Sequence, residues 1–218
     1  MYQSVRKIRP TYRSVSGHYP FRGNESLPYE SSLERDFIML QEFNALVVRI
    51  IPQPVQIPFY LGVRQYKYTP DFLVLYEGGS GKGMLVEIKP KCKWKKHWRK
   101  WLTKWKAAYR WSKERGFTFH IYDEDRIRGV ALDNIKRLMP FKRVLITPSE
   151  SDTANRLIAR RGGITVSDFL LEFPLSEQAR WKQLLWHLLA NRKIKTDLNT
   201  PIGNDSILFV MDEYHGQQ

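Results

Sequence analysis

The sequence predicts an α/β protein in which helices flank a mixed β-sheet, followed by a small domain with a winged-helix outline. Residues 31–147 alternate strand-like and helical patterns, as expected for a sheet covered by helices. Residues 148–218 instead show three short helical patterns and two strand-like segments, an order typical of a winged helix-turn-helix. Residues 1–30 have no sustained period and are predicted to form a basic, extended arm. A hydrophobic share of 42% is sufficient for a packed core.

The first predicted helix covers residues 32–49. One apolar stripe runs along it at helical spacing, formed by Leu33, Phe37, Leu40 and Phe43. Ser31 and Glu34 have the spacing of a capping box, which predicts where the helix begins. Pro52 and Pro54 exclude its continuation and introduce extended segments.

Strand-like segments come next. Residues 55–61 and 63–68 are separated by Gly62 and predict a pair of strands. Residues 72–76 and 84–89 flank a Gly/Ser-rich turn, which predicts a hairpin. The remaining elements of this region are predicted in the order helix 93–115 ending at Gly116, strand 117–122, helix 125–138 and strand 143–146.

A second domain is predicted to begin at Thr147-Pro148-Ser149. Its predicted elements are, in order, helices 152–161, 166–172 and 177–191 and strands 193–198 and 206–211. Trp181, Trp186 and the leucine-rich last helix are available for docking, so we expect this domain to contact protein partners.

The composition excludes several classes of protein. No apolar run approaches the length of a transmembrane helix, and the basic N-terminus lacks the apolar region of a secretory signal. Cys92 is the only cysteine, which excludes a disulfide framework and a cysteine-based zinc site. We therefore expect a soluble, intracellular and strongly basic protein.

The net charge of +14 indicates a polyanionic partner, and it is concentrated in one segment. Residues 89–115 carry 12 basic side chains and one acidic side chain. Four tryptophans at helical spacing run through this segment: Trp94, Trp98, Trp101 and Trp105. Stacking on unpaired bases is one interpretation of the stripe, but packing against a sheet is the more common role of such a stripe. The charges predict DNA-phosphate contacts by Lys91, Lys93, Lys95, Lys96, Arg99 and Lys100.

Two carboxylates are predicted to face each other across the hairpin. If its turn is centred near Gly79, residues whose numbers sum to 158 are opposite, and Asp71 then faces Glu87. Directly opposed side chains have Cβ atoms about 5 Å apart, so the two carboxylates repel unless a cation or proton lies between them. Lys89 projects on the same face because side chains alternate along a strand.

This trio indicates metal-dependent phosphodiester hydrolysis. An oxygen-only site with two carboxylates suits Mg²⁺, and a lysine beside it can stabilise charge on phosphorus. Taken singly, each residue is more simply a strand end or a surface charge. The hairpin register and the basic composition together favour the catalytic interpretation.

The same residues resemble a known superfamily. Pro70-Asp71 followed by Glu87-Ile88-Lys89, after a helix that carries Glu34, is similar to the PD-(D/E)xK nuclease pattern. The segments Tyr29–Glu34, Gln53-Pro54, Tyr68–Phe72 and Val86–Pro90 resemble TnsA, the endonuclease subunit of heteromeric cut-and-paste transposases. The resemblance is strong over residues 29–90 and weaker to about 147.

The resemblance implies a restriction-endonuclease-like fold and a set of roles. Asp71 and Glu87 would bind Mg²⁺, with Mn²⁺ as a substitute and the Ile88 carbonyl as a further ligand. Lys89 would be the catalytic lysine, and Glu34 would complete the site, although its cap position alone also explains it. The enzyme would cut DNA at the 5′ ends of a mobile element. Its partners would be the DDE-type transposase TnsB and the AAA+ regulator TnsC, bound by the C-terminal domain. The resemblance also implies a protein of the bacterial cytoplasm, associated with the nucleoid when active.

Two other functions are compatible with the sequence. One is a stand-alone DNA endonuclease of the restriction or junction-resolving type. The other is a DNA-binding scaffold in which the carboxylates are incidental.

Overall fold

The computed structural model describes residues 3–5, 15–78 and 82–211 and shows two compact units. The first unit is Met1–Gly129 and the second is Val130–Gln218. The sequence pattern predicts the boundary at residue 147, eighteen residues beyond the one that the packing of the chain shows. The difference arises because the helix that follows Gly129 packs with the second unit. The two units are described in turn.

A β-hairpin opens the first unit where the sequence predicts an irregular arm. Strands β1 (Gly17–Phe21) and β2 (Glu25–Tyr29) pair in antiparallel register. Tyr19, Phe21 and Leu27 are buried, so the hairpin has an apolar face that covers the first helix. The arm prediction was therefore wrong for residues 17–29, and its residues 1, 2 and 6–14 lie outside the described residues.

Helix α1 (Ser32–Glu42) ends earlier than predicted. Its cap is as expected, because Ser31 Oγ accepts a hydrogen bond from the Glu34 amide. Residues 47–52, which we assigned in part to this helix, form strand β3 (Val47–Pro52). The run Val47-Val48-Arg49-Ile50-Ile51 is rich in β-branched side chains, which favour a strand over a helix.

Next comes a two-stranded ribbon that is separate from the main sheet. Strands β4 (Ile57–Leu61) and β5 (Arg64–Tyr68) pair in antiparallel register across Gly62, as predicted.

The main sheet contains strands β6 (Phe72–Tyr76), β7 (Gly83–Ile88) and β8 (Thr118–Tyr122) together with β3. Within the described residues its order is β3-β6-β7-β8, and only the β7–β8 pair is parallel. Phe72 lies opposite Val86 and Val74 lies opposite Met84, so the register predicted for the hairpin is confirmed.

Helix α2 (Lys91–Lys113) connects the parallel strands and covers the sheet. Trp105 is buried in the core beside Leu73 and Leu85, and Trp94 and Trp101 pack against the same cluster. The tryptophan stripe is therefore mainly structural. Trp98 is the exception, with 43% of its surface exposed. A short helix, α3 (Glu124–Ile127), completes the unit.

The second unit begins with helix α4 (Val130–Leu138) and a 3₁₀ helix (Met139–Arg143), both of which pack against its longest helix, α7 (Leu175–Ala190). The strand predicted over residues 143–146 does not form, and Leu145 is 89% exposed. Three apolar residues after a proline-containing turn are too few to establish a sheet edge without a partner strand.

The other elements of this unit are helices α5 (Pro148–Arg161) and α6 (Val166–Leu171) and strands β9 (Ile164–Thr165), β10 (Ile194–Lys195) and β11 (Ile207–Val210). The three short strands pair in the order β10-β11-β9, all antiparallel. Leu184, Leu185, Leu188 and Leu189 of α7 are buried. The leucine-rich stripe therefore forms the core of this unit and is not free for docking, contrary to our expectation.

In the described part of the chain, no helix has both the length and the apolar character to cross a membrane.

Candidate active site

Asp71 is fixed at the start of β6 by three backbone contacts. Its amide donates to the Val86 carbonyl at 3.0 Å, and its own carbonyl accepts from the Gln53 amide at 2.8 Å. Its side-chain Oδ2 accepts a hydrogen bond of 2.6 Å from the Ile88 amide. The carboxylate is thus aimed at the end of β7 by the two strands beside it.

Glu87 lies in β7 with 1% of its surface exposed. The Tyr68 hydroxyl donates to its Oε2 at 2.6 Å, and the Lys104 ammonium donates to its Oε1 at 2.9 Å. A buried carboxylate is costly unless it is paired and hydrogen-bonded. Both oxygens of Glu87 meet that requirement.

Lys89 lies between the two carboxylates. Its Nζ is 3.4 Å from Asp71 Oδ2 and 3.3 Å from Glu87 Oε1, and it donates to the Ile88 carbonyl at 2.9 Å. These are the same three groups that the sequence proposes as metal ligands. The structure therefore brings Asp71, Glu87, Ile88 and Lys89 together around one positive charge.

Glu34 lies in the first turn of α1. Its amide donates to Ser31 Oγ, and its carboxylate accepts from the Ser31 hydroxyl and the Glu30 amide, so one half of the predicted capping box is present and Glu30 takes the place of Ser31 as the backbone donor. A cleft of about 530 Å³ is lined by Glu34, Ile88, Lys89 and Lys93 among others. Glu34 thus faces the proposed site while it also caps its helix.

The pKa values of the acidic groups in this site are shifted in different directions. Burial, and then the negative charge of Glu87, raise the pKa of Asp71 to about 8. Burial would also raise the pKa of Glu87, but the ammonium groups of Lys89 and Lys104 hold it below its ordinary value. Burial raises the pKa of Glu34. The pKa of Lys89 is raised because the attraction of Asp71 and Glu87 exceeds the cost of burial.

The donor set fits a hard cation. Two carboxylates and a backbone carbonyl are oxygen ligands of the kind that Mg²⁺ takes. Within the described residues, no group of three or more His, Cys, Asp or Glu side chains is placed to hold a metal, and a site with two carboxylates and a carbonyl would leave the other ligand positions to water and phosphate. The Lys89 ammonium lies among these same oxygens, in what would be the cation position, and a bound metal would have to displace it.

Residues 44–124 match the family model described as "TnsA-like endonuclease N terminal". This segment is TnsA-like. The match confirms the resemblance drawn from the motifs, and it indicates a nuclease of Tn7-like transposition. It covers less than half of the chain, including Asp71, Glu87 and Lys89 but not Glu34. No curated protein matches the chain.

The basic residues predicted to contact DNA lie in the first turns of α2 within the TnsA-like segment. Lys93, Lys95, Lys96, Arg99 and Lys100 are exposed. Lys91 is less free, because its ammonium pairs with Asp125 and its amide donates to Glu124. Five of the six predicted residues therefore present their charge to solvent.

Two contributors to the TnsA-like site were missed from the sequence. Lys104 was counted among the basic residues of α2, but its position between Trp101 and Trp105 in helical spacing places it on the sheet-facing side. Its ammonium lies 4.5 Å from the centre of the Tyr68 ring and reaches Glu87. A charged residue inside a buried aromatic stripe requires a partner, and that signal could have identified it.

Gln53 also supports the site. It has a left-handed backbone (φ +46°), which is unusual for a residue other than glycine. That conformation directs its amide to the Asp71 carbonyl. Gln53 is therefore a positioning residue for the proposed metal ligand.

Proposed function

We propose that this chain is a Mg²⁺-dependent DNA endonuclease subunit of a heteromeric transposase. It hydrolyses phosphodiesters at the 5′ ends of a mobile element during excision. A DDE-type transposase subunit (TnsB) and an AAA+ regulator (TnsC) are its proposed partners. The observation that carries this proposal is the convergence of Asp71, Glu87 and the Ile88 carbonyl on the Lys89 ammonium, inside a TnsA-like segment.

Each residue of the site has a proposed task. Asp71, Glu87 and the Ile88 carbonyl would hold Mg²⁺ or Mn²⁺, which when bound makes water more acidic and offsets charge on the phosphate. Lys89, displaced from the cation position, would donate to the phosphate oxygen on which negative charge develops. Glu34 lines the cleft opposite and would orient the attacking water.

The basic start of α2 would hold the DNA backbone. Since Lys93 lines the cleft itself, a phosphate in the cleft lies within reach of this helix. The exposed residues that follow extend the positive surface along the helix. Binding would weaken steeply as salt concentration rises.

For the second unit we propose a winged-helix-like module that binds partner proteins. The order of the elements that follow α4 and the 3₁₀ helix supports the fold: helix, short strand, two helices and two short strands. Exposed apolar side chains at the α6–α7 turn support protein contact, since Leu171 is 75% and Leu175 84% exposed. Phe173 and Trp181, stacked at 3.9 Å beside this turn, would give the contact a rigid base.

Plasmid cleavage tests the nuclease proposal. The full chain, with and without its transposase partner and with Mg²⁺ or Mn²⁺, is compared with Asp71→Ala and Lys89→Ala. We expect cleavage at the 5′ end to fall by at least about a thousandfold in both variants, because each removes part of the site that stabilises the transition state. Lys113→Ala, at the far end of α2, is the control and keeps full activity.

The outcomes separate the three functions. Cleavage that needs the partner supports the transposase subunit. Cleavage of DNA by the chain alone at its own sites supports a stand-alone endonuclease. DNA binding with no cleavage by any preparation, or equal cleavage by wild type and the Asp71→Ala variant, refutes the proposed active site and leaves the scaffold.

A further inference from the structure

We propose that the β4–β5 ribbon is a second DNA-binding element, which enters the major groove of the duplex beside the cleft. This inference goes beyond the nuclease assignment and rests on it only for the position of the cut phosphate. It depends on how the ribbon is anchored, what its tip exposes and which charges it carries.

The base of the ribbon is tied to the active site. Ile57 and Tyr68 lie opposite each other at its base, and both are buried. The Tyr68 hydroxyl holds Glu87, and Asp71 follows Tyr68 by three residues. The base of the ribbon therefore continues into the segment that positions the proposed catalytic carboxylates.

Exposure increases from the base of the ribbon to its tip. Phe59 and Tyr66 stack in the middle, with ring centres 5.7 Å apart, and Tyr60 is 59% exposed. At the tip, Leu61 is 47% exposed and Val63 is completely exposed. Gly62 (φ +60°) provides the tight two-residue turn that keeps the tip narrow. A protruding apolar tip of this kind indicates a contact surface.

The charges on the ribbon favour DNA over a protein as that partner. Residues 57–68 contain two basic side chains, Arg64 and Lys67, and no acidic one. Both basic side chains are exposed. Strand β4 packs against α2, and Arg64 and Lys67 lie on its partner strand β5, so the ribbon and the basic helix belong to the same packed region of the first unit. A surface of one sign matches phosphates on the two sides of a groove.

The dimensions of the ribbon fit the major groove. A two-stranded ribbon is accommodated by the major groove, which is about 12 Å wide, and not by the minor groove, which is about 6 Å wide. Five residues per strand extend roughly 17 Å, so the tip reaches base edges while Lys67, opposite Pro58 near the base of the ribbon, remains near phosphates. Arg64, opposite Leu61 beside the tip, would extend its long side chain to a phosphate at the wall of the groove. Val63 and Leu61 would then contact thymine methyl groups.

DNA affinity of the full chain tests the ribbon without reference to cleavage. We measure fluorescence anisotropy of a short labelled duplex in EDTA over a series of salt concentrations. For Arg64→Ala combined with Lys67→Ala we expect about tenfold weaker binding and a salt slope smaller by about 2. For Tyr60→Ser combined with Val63→Ser we expect about threefold weaker binding with an unchanged slope, and loss of guanine N7 protection from dimethyl sulfate.

A matched control removes the same charge elsewhere in the first unit. Lys82 lies in the β6–β7 connection and Lys113 at the end of α2, about 33 Å along the helix from Lys91. Lys82→Ala combined with Lys113→Ala is expected to bind like wild type. If this control weakens binding as much as the ribbon variant does, net charge explains the effect and the ribbon proposal is wrong.

The remaining outcomes distinguish this proposal from the nuclease assignment. If wild type cuts DNA and both ribbon variants bind and cut like wild type, the ribbon proposal fails alone, and its tip is left for a protein contact. If wild type never cuts but the ribbon variants bind more weakly, the nuclease assignment fails and the ribbon remains a DNA-binding element.

Discussion

The two units of this protein differ in what they bury. Among the described residues, every buried polar or charged side chain except Asn134 lies in the first unit. Four of these buried side chains are carboxylates: Asp36, Glu42, Glu87 and Asp123. In the second unit Asn134 bonds to backbone groups of Leu198, Thr200 and Ile202 and so serves the fold. Buried carboxylates lower stability unless they are paired. The buried carboxylates thus lie in the same unit as the proposed active site, and the one buried polar side chain described in the second unit serves its fold.

Truncation is the strongest test of this division. A chain that ends at Gly129 is expected to fold and melt cooperatively, because its core is complete. A chain that ends at Thr147 keeps α4 but loses α7, so Leu132, Ile135 and Leu138 lose the helix against which they pack. We expect it to aggregate in size-exclusion chromatography. Equal, monomeric behaviour of the two chains would show that the boundary lies at 147 after all.

The next test concerns the partly buried Lys104, whose substitution is expected to lower cleavage by one to two powers of ten. Lys104→Met removes the ammonium from Glu87 while it keeps the bulk of the side chain. We expect cleavage to fall about 10- to 100-fold, as for other groups that orient a metal ligand, and the free energy of unfolding to fall by about 1–3 kcal/mol.

Lys106→Met is the matched control, since it removes an exposed lysine from the same helix that is not among the predicted DNA contacts. Its effect on unfolding is expected to be below about 0.5 kcal/mol. Lys104→Arg, which restores a positive charge, is expected to recover part of the activity. Equal effects of the Lys106 and Lys104 variants on cleavage would mean that Lys104 acts only through net charge.

The last test concerns the stability of the metal-free protein, on which the carboxyl of Asp71 has no more than about 1 kcal/mol of effect per pH unit. Its folded pKa is about 8, whereas in the unfolded chain the carboxyl loses its proton near pH 4. Between those values the folded state holds one proton more, so this group makes the protein less stable as pH rises. The Asp71→Asn variant has no proton to lose at this position. Its free energy of unfolding, relative to that of the wild type, is therefore expected to increase by about 1 kcal/mol per pH unit up to about pH 8.

Denaturant unfolding in EDTA at several pH values measures this advantage. Asp133→Asn, at an exposed position of the second unit, is expected to show a constant difference from wild type. An advantage for the Asp71 variant that is independent of pH would contradict the raised pKa.

The central hairpin and its site were predictable because their signals are local. Two apolar runs around a glycine-rich turn determine the register, and the register alone brings Asp71 opposite Glu87. The β1–β2 hairpin was missed because its short strands are interrupted by proline and glycine, and their burial depends on α1. Lys104 was missed since its role depends on which face of α2 meets the sheet, which a count of charges does not show.

The short hairpin that joins Asp71 to Glu87 also has a consequence for how the protein folds. Hairpins form within about 1–10 μs, ahead of contacts between segments distant in sequence. The two carboxylates therefore meet before α2 docks and brings Lys104 to Glu87. Lys89 belongs to the same hairpin and already lies between them, and the docking of α2 adds the positive charge of Lys104 at Glu87. The time order of assembly thus makes the charge on α2 part of the folding pathway of this unit.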